Sequence, residues 1–106
     1  MKIITASLSG AALDWAVCKC EHHGVGEHPK LLKQGCRPSP FSTEWSIGGP
    51  IIEREGITLR CGVGGWDAEL DEFNVLVSGK TPLEAAMRCF VASKLGDEVE
   101  IPEELL

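Results

Sequence analysis

Nowhere in these 106 residues does an apolar run approach the ~18 positions that a membrane-spanning helix requires. Met1-Lys2-Ile3-Ile4-Thr5 also lacks the long apolar region of a secretory signal, so a cytoplasmic protein is expected. In that compartment the five cysteines read as reduced thiols, and their odd number argues against a closed disulfide framework. No internal repeat or low-complexity tract interrupts the chain. Basic residues are scarce: ten Lys/Arg face sixteen Asp/Glu, for a net charge of −6. The imbalance is uneven, with five against three in residues 1–40, three against seven in 41–80 and two against six in 81–106. An acidic chain lacks the electrostatic footprint that drives binding to phosphate backbones, so nucleic acid is not the expected main partner.

What is present fits one ordinary globular domain over 1–106. Hydrophobic content is 43% and charged content 25%, enough for one core. A helix is expected from Ser9 to Cys20, with Ser9 as N-cap. Leu13, Ala16, Val17 and Cys20 recur at i, i+3, i+4, i+7 and form its buried stripe. Trp15 lies off that stripe, where it either covers a core edge or meets a partner. Periodicity then vanishes. Three X-Pro steps (28–29, 37–38, 39–40) disfavour helix, and residues 21–44 read as a long variable loop.

Gly48-Gly49-Pro50 opens the segment P-I-I-E-R-E-G, which suits one or two helical turns ended by Gly56, or the start of a strand. Ile57, Leu59 and Cys61 alternate with polar residues, Gly62-Val63-Gly64-Gly65 turns the chain, and Trp66, Ala68 and Leu70 alternate again. This is a β-hairpin, and Phe73, Val75 and Val77 supply a third strand. Thr81-Pro82-Leu83-Glu84 is a capping box for a C-terminal helix that Gly96 stops. E-V-E-I-P alternates like a further short strand within an acidic tail over 97–106. The expected fold is therefore α+β: a small antiparallel sheet of three or four strands, an N-terminal helix, and a C-terminal helix after the hairpin.

Three blocks of this sequence resemble the NinX-like phage proteins, accessory proteins of lambdoid phages and prophages whose family is a domain of unknown function. They are S-G-A-A-L-D-W-A-V (Ser9–Val17), W-S-I-G-G-P-I-I-E-R-E (Trp45–Glu55) and the terminal run T-P-L-E-A-A-M-R-C-F-V-A-S-K-L-G-D-E-V-E-I-P-E-E-L (Thr81–Leu105). Relatives commonly carry alanine at Cys18 and vary between the first two blocks. The resemblance implies a small protein in the cytoplasm of a bacterial host, and it supplies no reaction.

The Cys/His-rich stretch C-K-C-E-H-H-G-V-G-E-H invites a zinc reading, but its spacing matches no standard finger. Residues two apart on a helix point about 160° from each other. If the helix holds through Cys20, that residue faces the core and Cys18 faces away. Only an earlier helix end would allow a zinc module from Cys20, His22 or His23, His28 and Cys36. A disulfide from Cys18 or Cys20 to Cys36 would staple the loop, yet a cytoplasmic setting disfavours it. Cys61 and Cys89 read as small hydrophobes with no hydrolase signature, and Asn74 is the only asparagine that could orient a histidine. Gly62–Gly65 lacks the Lys-Ser/Thr of a phosphate loop. Glu98, Glu100, Glu103 and Glu104 read as a solvated face. No enzyme activity and no cofactor are expected.

The ββ(β)α run from Ile57 to Leu95 also resembles HicB-like antitoxins, which would make the chain an antitoxin or nucleic-acid-associated module. The leading expectation is instead a non-enzymatic module that contacts a host or phage protein. Its surface would comprise Trp45, Gly48, Gly49, Pro50, Glu53, Arg54 and Glu55, an aromatic beside rigid backbone and alternating charges. The plainer alternative is that Trp45, Ile51 and Ile52 seal the core. Trp15 is assigned to a homodimer interface.

Overall fold

The computed structural model describes residues 1–21 and 39–105. In chain order it runs β1 (Lys2–Ile4), α1 (Gly10–Glu21), α2 (Trp45–Glu55), β2 (Thr58–Gly62), β3 (Gly65–Leu70), β4 (Val75–Gly79), α3 (Pro82–Leu95) and β5 (Glu98–Glu100). Single 3-10 turns lie at Thr5–Ser7, Asp71–Phe73 and Glu103–Leu105. The fold is α+β, with three helices among the described residues and two antiparallel sheets, β2-β3-β4 and β1-β5.

The hairpin closes at Gly62 and Gly65 around Val63-Gly64, and its register sets two faces. Leu59, Ala68 and Val77 stand in one row that faces α3, while Arg60, Asp67 and Ser78 form a row on the open side. Phe73, expected in the third strand, lies in a 3-10 turn instead. Asn74 follows with φ 54, a left-handed conformation that its short polar side chain tolerates, and β4 begins only at Val75. Cys61, expected on the apolar face, is exposed.

α3 forms for the reasons its sequence states. Thr81 Oγ1 accepts a hydrogen bond from the Glu84 amide at 3.1 Å, and Pro82 occupies the first helical turn. Glu84 Oε1 accepts from the Lys80 amide at 2.9 Å, one residue before the cap, so the reciprocal half of the box is displaced. Ala85, Ala86, Met87, Cys89, Phe90 and Val91 are all buried, because α3 lies between the three-stranded sheet and α1. Among the described residues, helices thus cover one face of the sheet.

α1 departs from the expected single stripe. Every residue from Ala12 to Cys18 is buried. Trp15, 7% exposed, belongs to the core, which corrects its assignment to a dimer interface. Ala12, Trp15 and Cys18, all buried, form a second apolar stripe at i, i+3, i+6, and a helix apolar on several sides is covered on several sides. Cys20 is half-buried and packs against the core as expected, whereas Cys18, expected to face away, is buried too.

The short strand expected within the acidic tail forms at Glu98–Glu100. β5 pairs antiparallel with β1 in the register Lys2↔Glu100, Ile3↔Val99 and Ile4↔Glu98, and Val99 and Ile101 are buried. Met1 and Ile101 exchange backbone bonds of 2.9 Å in both directions. Thr5, itself buried, donates its hydroxyl to the Gly96 carbonyl at 2.7 Å. Both ends of the chain therefore close on the C-terminus of α3.

Candidate functional site

α2 carries most of the surface that the sequence singles out, and it is a helix. It starts at Trp45, so Gly48, Gly49 and Pro50 lie inside it and not at its entrance. Pro50 withdraws the amide that would bond the Ser46 carbonyl; both residues are exposed, so water can serve that carbonyl. Gly56 ends the helix with φ 71 and ψ 37, the left-handed conformation that glycine adopts without strain.

The candidate residues divide by environment. Gly48 is buried, and a Cβ there would strike the Phe41 carbonyl and lie 2.7 Å from Leu83 Cδ2, so it serves the close approach of two segments. Arg54 grips Glu21 with two hydrogen bonds of 3.0 and 2.6 Å and Glu55 with one of 2.8 Å. Lys94 Nζ approaches Glu55 at 3.3 Å. Burial alone would raise the Glu55 carboxyl, but hydrogen bonds from Arg54 and Lys94 hold it below its usual range. Arg54 and Glu55 are thus engaged in tying α2 to α1 and α3. Ile51 is buried in the core and Ile52 packs against it, as the plainer alternative expects for both.

Trp45, Gly49, Pro50 and Glu53 remain toward solvent. Trp45 is 54% exposed, its ring is 3.6 Å from where a Gly49 Cβ would stand, and it borders a hollow of about 280 Å³. Gly10, Ser42, Thr43, Thr81, Leu83 and Glu84 line that hollow with it. Its wall is fixed by a bond the sequence reading does not include. The Ser42 amide donates to Asp14 Oδ1 at 2.8 Å, holding the turn before α2 against α1. Burial pushes the Asp14 carboxyl above its ordinary value, and the Ser42 contacts offset only part of that. An aspartate between Leu13 and Trp15, on a helix otherwise apolar at those positions, is the signal that could have revealed it.

For the metal reading, α1 runs through Cys20 to Glu21, so the early helix end that a zinc site requires does not occur. Among the described residues no group of three His, Cys, Asp or Glu could hold a metal ion. His22, His28 and Cys36 lie outside the described residues, as does most of the 21–44 loop. Burial pushes the Cys20 thiol up to about 12 and the Cys89 thiol up to about 11, and raises Cys18 as well. These are protonated, weakly nucleophilic thiols. No described helix is long and apolar enough to cross a membrane.

The fold and surface define a small α+β protein whose helices back one sheet and whose α2 presents a tryptophan beside a shallow hollow. A family model described as Bacteriophage P22, NinX matches residues 4–94, and the chain belongs to that family of phage accessory proteins. Comparison with curated proteins gives no match.

Proposed function

We propose that this chain is a non-enzymatic interaction module of the phage or prophage, which holds a host or phage protein through the Trp45 face of α2. The carrying observation is the tryptophan itself. Trp15 is buried and Trp66 half-buried, whereas Trp45 is 54% exposed beside a hollow and next to a helix turn without side-chain bulk. An exposed indole beside Gly49 has only two side-chain torsions to fix on binding and offers a large contact area.

A narrower form of the reading has its own support. β2, β3, β4 and α3 follow the ββ(β)α order of HicB-like antitoxins, and a net charge of −6 suits a protein that blocks a small basic toxin. A pull-down from lysogenic or infected cells, run in parallel with wild type and Trp45→Ala, tests both. The general reading expects a defined protein captured by wild type and lost with the variant; the narrower one expects that protein to be small and basic. Equal capture by both baits would contradict the role of Trp45.

A further inference from the structure

The three-stranded sheet ends on β4, and the hairpin register fixes which of its backbone groups are spare. Gly62 and Gly65 close a two-residue turn, so Gly65, Asp67 and Glu69 bond to β2. Trp66, Ala68 and Leu70 then bond to Gly79, Val77 and Val75. The amides and carbonyls of Leu76 and Ser78 therefore point away from the sheet. One is taken: the Ser78 carbonyl accepts from Arg88 Nη1 at 2.8 Å. Among the described residues no strand pairs with the remaining Leu76 amide, Leu76 carbonyl and Ser78 amide.

Edges of this kind are ordinarily blunted by a charge, a proline or a bulge. V-L-V-S-G has none of these, whereas the opposite edge, T-L-R-C-G, carries Arg60 paired with Glu69. Beside β4 lie two adjoining hollows of about 560 and 430 Å³, both lined by Ala6 and Val77. Ile4 and Leu76, 59% and 62% exposed, offer apolar contact along them. Asp97 and Glu98 stand at the end near Ile4, exposed and without an ion pair among the described residues. At the other end Glu84 and Arg88 neutralise one another at 3.5 Å, with Lys80 beside them. The groove thus has an extended hydrogen-bonding template, an apolar wall and one acidic end.

We propose that β4 receives an extended segment of a partner protein as a fourth strand, with apolar residues alternating along it and a lysine or arginine at the end near Asp97 and Glu98. Main-chain bonds to Leu76 and Ser78 hold the segment, side chains of one parity lie on Ile4, Ala6 and Val77 beside α3, and those of the other parity meet Leu76 on the open face. A second copy of this chain is the poorer occupant, because each copy carries a net charge of −6. The proposal shares the interaction-module reading but not its residues: Trp45 lines neither hollow.

The probe is a displayed library of random dodecapeptides selected on the wild-type chain. Enriched peptides should alternate apolar residues and carry Lys or Arg at one end. Leu76→Pro removes one outward donor without touching the bonds to β3, and should weaken them about tenfold or more. Glu98→Lys, an exposed change, should weaken them about threefold or more, while Trp45→Ala should leave them unchanged. No enrichment, equal binding to Leu76→Pro and Glu98→Lys, or loss with Trp45→Ala would overturn the proposal. So would a wild-type dimer, by native mass spectrometry, that Leu76→Pro makes monomeric. Trp45-independent capture in the pull-down would leave this result standing, so the two readings fail separately.

Discussion

Arg88 shows how much of this fold rests on single side chains. Its Nε donates to the Leu8 carbonyl at 2.6 Å and its Nη1 to the Ser78 carbonyl, so one guanidinium joins the entry to α1, strand β4 and helix α3. Lysine cannot reproduce that fork, and Arg88→Lys should cost about 2–3 kcal/mol in urea denaturation. At Gly48 two effects oppose: alanine gains about 1 kcal/mol in helix propensity, but its Cβ meets the Phe41 backbone. Backbone yields less than a side-chain tip, so Gly48→Ala should lose about 1–3 kcal/mol net in the same measurement. Two carboxylates give opposite pH trends. Asp14 is raised by burial, so its contribution is full below its unfolded value and falls as pH rises through the folded one. Glu55 is held low, so its contribution is present at neutral pH and lost as pH falls through its depressed value. Asp14→Asn keeps an acceptor for the Ser42 amide and should abolish the first trend in a stability-versus-pH series, leaving the second. The cap of α3 was legible at this scale because Thr81 and Glu84 act within one turn. Gly48, Asp14 and Arg88 act on segments distant in sequence, and nothing local announces their partners.

Among the elements, the hairpin and α3 follow from their own periodicity. α2 was only half legible: P-I-I-E-R-E-G suits a helix or a strand, and packing of Ile51 in the core decides for the helix. The β1–β5 pair was half legible. E-V-E-I-P alternates like the short strand it forms, but Lys2–Ile4 carries no such signal, and the partners lie at opposite ends of the chain. The pairing itself was therefore missed, although the buried Ile101 closes the core beneath it. Ile101→Ala should cost about 2–5 kcal/mol in denaturant unfolding, a core penalty. A solvated tail would show almost none.

At the scale of the whole molecule, α3 is the shared wall between sheet and α1, while the turn before α2, tied to Asp14 through the Ser42 amide, covers a further side of α1. Sequence reasoning treated α1 as a surface helix with one stripe and so placed Trp15 outside. With Trp15 in the core, Arg54 and Glu55 engaged in ion pairs to α1 and α3 and Gly48 in a tight crossing, Trp45, Gly49, Pro50 and Glu53 are the expected surface residues left without such a role. The family bounds the chain as a phage accessory protein, and the exposed indole is what most sharply suggests how it acts. The decisive measurement is calorimetric titration of the captured partner into wild type and into Trp45→Ala, the variant first shown to unfold at the wild-type temperature. A loss of about 2 kcal/mol or more, roughly thirtyfold in affinity, is the expected result. An affinity unchanged by the substitution would contradict the account.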